Sequence, residues 1–102
     1  MAEKHWIVQL DGKSRILIFL HTNGPRVISF AVVLVSVLDG KESCITRYDT
    51  AHGQAHRDVL GMKGGLLEKQ WLLDLTSNEA FDYALSDIKE NYDNYITAYK
   101  KH

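Results

Sequence analysis

The twelve-residue run VISFAVVLVSVL, from Val27 to Leu38, constrains the fold more than any other stretch of the chain. A helical bilayer span needs about 20 apolar residues, so this run is too short to be one. It is rich in Val, Ile and Phe and lies between Pro25-Arg26 and Asp39-Gly40, which suits a β-strand. Alternation places Ile28, Phe30, Val32 and Leu34 on one side and Ala31, Val33, Val35 and Val37 on the other. Both sides are apolar, which predicts a central strand covered on both faces.

Turn signals flank this strand and recur through the first two-thirds of the chain: Asp11-Gly12, Asn23-Gly24, Asp39-Gly40 and Gly64-Gly65. Asp-Gly and Asn-Gly favour tight hairpins, because both central residues of a type I′ turn need positive φ. Strands are expected near residues 5–10, 14–21, 26–38, 43–49 and 66–73, the first four as antiparallel neighbours. The segment 50–65 is expected as a long connection. From Asp74 the period changes. Thr76 with Glu79 three residues later forms a capping box, and Phe81, Ala84, Leu85, Ile88, Tyr92, Tyr95, Ile96 and Tyr99 recur at helical spacing.

The expected architecture is α+β: one domain over residues 1–102, with an antiparallel meander of about five strands over 5–73 and one helix over about 77–100 packed across a face. A single helix covers one side of a sheet. The second apolar face of the 26–38 strand therefore points either to a sheet that wraps the helix or to a sheet-to-sheet homodimer.

Charge narrows the function classes. Twelve Lys and Arg against thirteen Asp and Glu give a net charge of -1, so no general cationic field exists to hold nucleic acid or an anionic membrane. The balance is uneven, with nine basic and seven acidic residues over 1–73 but three and six over 74–102. Any bound polyanion would meet the sheet and not the acidic helix. Cys44 is the single cysteine, and the N-terminal MAEKHWIVQLDGKS lacks the apolar core of a signal peptide, so a cytoplasmic location is expected. Within a strand, Cys44 reads as a small buried hydrophobe and not as a nucleophile.

The chemically dense segment is ITRYDTAHGQAHRDVLG, residues 45–61. It gathers Arg47, Tyr48, Asp49, His52, His56, Arg57 and Asp58, with Lys63 shortly after. If it turns helically, His52 and His56 share a face with Asp49 about one turn earlier, a spacing able to hold a divalent metal. The same residues also suit metal-free acid–base chemistry, such as RNA cleavage through the ribose 2′-hydroxyl. His52 or His56 would then move the proton and Asp49 or Asp58 would orient it. Arg47, Arg57 or Lys63 would steady the anion, beside Tyr48. A structural alternative pairs Asp49 and Asp58 with Arg47 and Arg57 and ties the histidines to loop carbonyls.

The string RYDTAHGQAHRD, followed by the EKQWL strand, resembles a small family of uncharacterised prokaryotic proteins with an RYDTAHG..HRD core, over about residues 27–73. More remotely, a strand followed by YDTA and clustered histidines resembles the TumE-like toxins of toxin–antitoxin pairs. That resemblance implies functional roles for Tyr48, Asp49, His52 and His56, an RNA substrate and an antitoxin-like protein partner. Two readings stay open: a toxin-like RNA-directed hydrolase, and a non-enzymatic binding or assembly module, dimeric or partner- or metal-binding.

Overall fold

The computed structural model describes residues 1–50 and 53–102. Six strands, β1 (Ala2–Gln9), β2 (Ser14–Asn23), β3 (Arg26–Leu38), β4 (Lys41–Asp49), β5 (His56–Gly61) and β6 (Gly65–Trp71), precede one helix, α1 (Ser77–Lys101). They form an open antiparallel meander in chain order. The α+β class and the helix are as expected, but the sheet has six strands and not about five. The extra strand is β5, from the segment expected as a connection. Its sequence HRDVLG has little apolar patterning. It is paired along both edges, to β4 and to β6, and Arg47 of β4 and Lys69 of β6 both stand opposite Asp58, adding opposite charge from either side.

Hairpin chemistry explains the tight turns. At Asp39-Gly40 both residues have positive φ, 53° and 76°, which joins β3 to β4 as a type I′ geometry requires. Asp11-Gly12 works differently. There the Asp11 carboxylate accepts from the backbone N–H of Lys13 at 2.8 Å and of Ser14 at 2.7 Å, so a side chain closes the turn.

Strand β3 lies inside the sheet, as its apolar run requires. Phe30, Val32 and Leu34 are buried beneath α1, together with Ile16, Ile18, Ile45 and Tyr48 from neighbouring strands. Ile28 departs from its expected row. It is the extra residue of a bulge, since His21 pairs with Ser29 while Thr22 pairs with Val27, and it is exposed. The expected cover on both faces is also corrected: Ala31, Val33 and Val37, on the face away from α1, are only half-buried, although Val35 is buried.

The helix starts where the capping box places it. Thr76 Oγ1 accepts from Glu79 N at 3.1 Å, and Thr76 N donates to Glu79 Oε1 at 2.9 Å. Ala80, Ala84 and Ile88 are buried against the sheet, flanked by Phe81, Leu85, Tyr92, Tyr95, Ile96 and Tyr99. The small alanines let the helix axis approach the strands closely. Among the described residues no helix is long and apolar enough to cross a membrane.

Candidate functional site

Because β4 and β5 are strands, the dense segment is divided by alternation and not gathered by a loop. Side chains two apart share a face, and neighbours oppose. Arg47, Asp49, His56 and Asp58 point away from α1, whereas Tyr48 and Arg57 point toward it, where they meet Asp87 and Tyr95 of the helix. The residues expected as one constellation therefore form two separate clusters. His52 lies outside the described residues. Lys63 sits in the β5–β6 turn with its backbone N–H donating to His102 O at 3.3 Å, apart from both clusters.

On the open face, cross-strand pairing builds two rows that cross all six strands. One runs Ile7, Leu17, Val33, Arg47, Asp58, Lys69, and the other His5, Phe19, Ala31, Asp49, His56, Trp71. Each row is largely apolar over β1–β3 and, Trp71 apart, polar beyond.

The polar half is an ion network around His56. The ring Nε2 lies 3.1 Å from Asp49 Oδ1 and 3.6 Å from Asp58 Oδ2, and Nδ1 lies 3.3 Å from the Gln54 carbonyl. Arg47 reaches Asp49 Oδ2 at 3.0 Å through Nε and Asp58 Oδ2 at 3.2 Å through Nη2, while Lys69 Nζ stands 3.1 Å from Asp58 Oδ1. Trp71 lies against the imidazole with ring centroids 5.0 Å apart. Burial would raise the Asp58 carboxyl, but the Lys69 ammonium, a hydrogen bond from Arg47 and the neighbouring His56 outweigh it and hold that carboxyl below the ordinary carboxylate range.

This geometry has chemical consequences. Both ring nitrogens of His56 face acceptors and the residue is buried, so it does not present a free nitrogen to a substrate. The anion-clamp role assigned to Arg47 and Arg57 is also taken up internally, since Arg57 donates to Tyr95 Oη at 2.7 Å and pairs with Glu68 at 3.1 Å. The expected pairing of Asp49 and Asp58 with Arg47 is present, but Arg57 is on the other face. The helical spacing invoked for a metal is replaced by a cross-strand one: donor atoms of Asp49, His56 and Asp58 lie within 4.8 Å of one another. Basic residues do not gather either, since Arg15 pairs with Glu42 and Lys69 with Asp58. Cys44, expected as a small buried hydrophobe, is only half-buried opposite Val35, and the desolvation there still pushes its thiol up.

The second cluster sits between helix and sheet. Tyr48 Oη donates to Asp87 Oδ2 at 2.6 Å, Tyr95 Oη donates to the same oxygen, and Asn91 Nδ2 donates to Oδ1 at 2.9 Å. Tyr48 is fully buried. Burial, followed by the Asp87 carboxylate, pushes the Tyr48 and Tyr95 phenols above their ordinary range. Lys69, Trp71 and Asp87 were not singled out from the sequence as members of a site. The available signal was the i, i+2 pattern of RYD and HRD, which has meaning only once both segments are strands.

No curated protein and no solved structure matches the chain. A family described as a domain of unknown function, DUF7718, matches residues 1–102, the same span that forms the meander and its helix, and the chain therefore belongs to that family.

Proposed function

We propose that this chain is a non-enzymatic binding and assembly module, and that its partner is a second copy of itself seated on the open sheet face. The observation that carries the reading is the exposure of Ile7 at 60% and Phe19 at 51%, in rows continued by Leu17, Ala31 and Val33. Apolar rows of this kind on an uncovered face mark an interaction surface.

A second copy fits for two reasons. An isologous interface places a patch against itself, so the patch must not carry strong net charge. Here Asp49 and Asp58 are balanced by Arg47 and Lys69, and Glu42 by Arg15. The size is also adequate. Six strands about 4.8 Å apart, joined by ladders of four to ten residue pairs at about 3.4 Å each, give a face of roughly 600 Å². A stable interface uses about 800 Å² per partner, rim included.

Sedimentation equilibrium tests this directly. The wild-type chain is expected to be a dimer at micromolar concentration with a melting temperature that rises with protein concentration. Phe19→Glu, on an exposed position, is expected to give a folded monomer. A wild type that stays monomeric throughout the range removes the reading. The other reading, a toxin-like RNA-directed hydrolase with an antitoxin-like partner, requires an imidazole that reaches its substrate; the buried, doubly engaged ring of His56 does not supply it, which leaves that role to His52, outside the described residues.

A further inference from the structure

We infer that Asp49, His56 and Asp58 form a binding site for one divalent first-row transition ion, with Arg47 and Lys69 as displaceable counter-charges. The site lies on the same sheet face as the proposed self-association, but its three donors come from one chain and its ligand is an ion, so a monomer alone can hold it.

The two distances from the imidazole fit such a site, and all three donor atoms lie within 4.8 Å of one another. Metal–ligand bonds of about 2.1 Å place the ligands of a tetrahedral ion about 3.4 Å apart and those of an octahedral ion about 3.0 Å apart. His56 Nε2 lies 3.1 Å from one carboxylate oxygen and 3.6 Å from the other. A hydrogen bond accounts for the first contact only, because 3.6 Å is beyond hydrogen-bond reach. One nitrogen faces two carboxylates, and a single proton serves one of them. An ion in place of that proton serves both.

The surroundings point the same way. Nδ1 lies 3.3 Å from the Gln54 carbonyl, the arrangement that fixes the tautomer and ring orientation of a metal-bound histidine. All three donors sit on β4 and β5, with Asp49 directly opposite His56, so the sheet holds them without a loop to order. Asp58 Oδ1 is buried and has no aligned hydrogen bond, only the Lys69 ammonium at 3.1 Å.

Burial separates ligands from counter-charges. The side chains of His56, Asp58 and Asp49 are 3%, 6% and 16% exposed, whereas those of Lys69 and Arg47 are 36% and 46% exposed. The cations lie at the wet rim on long flexible stems and can swing into water while the carboxylates stay in place. A doubly charged ion then replaces the two single charges. One imidazole with two carboxylates suits zinc, cobalt or manganese, whereas calcium and magnesium prefer oxygen ligands throughout.

The test uses the full chain after chelator treatment, titrated with Zn²⁺ by calorimetry and with Co²⁺ by visible absorption. One ion per chain at micromolar affinity or tighter is expected, with Mg²⁺ giving no signal. His56→Gln and Asp58→Asn are each expected to weaken binding by at least about tenfold. Lys69→Met keeps every donor and removes a competitor, so it is expected to tighten binding severalfold, an effect that a purely structural ion network would not produce. Zinc binding that survives both donor substitutions belongs to other histidines and overturns the assignment, as does a Lys69→Met chain that binds no more tightly than wild type. Should the donor variants fail to fold, Lys69→Met and Arg47→Leu decide the question alone. Repeating the titration on Phe19→Glu keeps the result separate from the oligomeric state.

Discussion

Leu34→Ala is expected to cost about 2–5 kcal/mol of folding stability, read as a lower urea midpoint at unchanged slope. Leu34 is fully buried, with Ile16 beside it on β2 and Thr46 on β4. Removing its branched end leaves a cavity that the flanking strands, held in register by their ladders, cannot close. Val33→Ala tests the same strand one residue earlier, on the open face, where the side chain is half-buried. Measured on the monomer, it is expected to cost about 1 kcal/mol. Equal losses at the two positions would mean that the open face is covered within one chain, contrary to the fold described above.

Tyr48→Phe is expected to cost about 1.5–3 kcal/mol, the range for a hydrogen bond to a charged group. The ring still packs edge-on against Tyr83, with centroids 6.0 Å apart, but Asp87 loses one of its three donors. A double-mutant cycle with Asp87→Asn isolates the pair, and a coupling near zero would contradict the role given to this hydroxyl.

The same tyrosines set an alkaline limit. Their folded pKa values are raised, so the folded state keeps its phenolic protons where the unfolded chain has lost them. The stabilisation is complete below the unfolded value of about 10 and is lost as pH rises beyond it toward the folded values. Tyrosinate absorbance is therefore expected to report the fully buried Tyr48 only together with unfolding. Its smooth titration in a chain that remains folded would rule this out. Tyr48→Phe is expected to flatten the alkaline loss.

Much of the fold was legible locally. The Val27–Leu38 run, the Asp39-Gly40 turn and the Thr76–Glu79 capping box each act through neighbouring residues, and each appears where its pattern places it. The bulge at Ile28 was not legible, because a bulge is a mismatch between two strands and neither strand carries it alone.

The site was legible in its members but not in its grouping. Asp49, His56 and Asp58 stood out from the residue types present, yet Tyr48 and Arg57 were drawn into the same constellation. Whether 56–61 is strand or connection depends on pairing with β4 and β6, distant segments whose Arg47 and Lys69 lie 11 residues from Asp58 on either side and meet it across the two ladders.

What the sequence alone determined is the set of elements whose causes are short-range: apolar alternation, turn residues and helix caps. Only the tertiary structure decided that β5 exists and which face α1 covers, leaving Arg47, Asp49, His56 and Asp58 on the other. The physical reason is that cross-strand register is set by pairing between distant segments, and a strand's alternation then assigns every side chain to one face or the other.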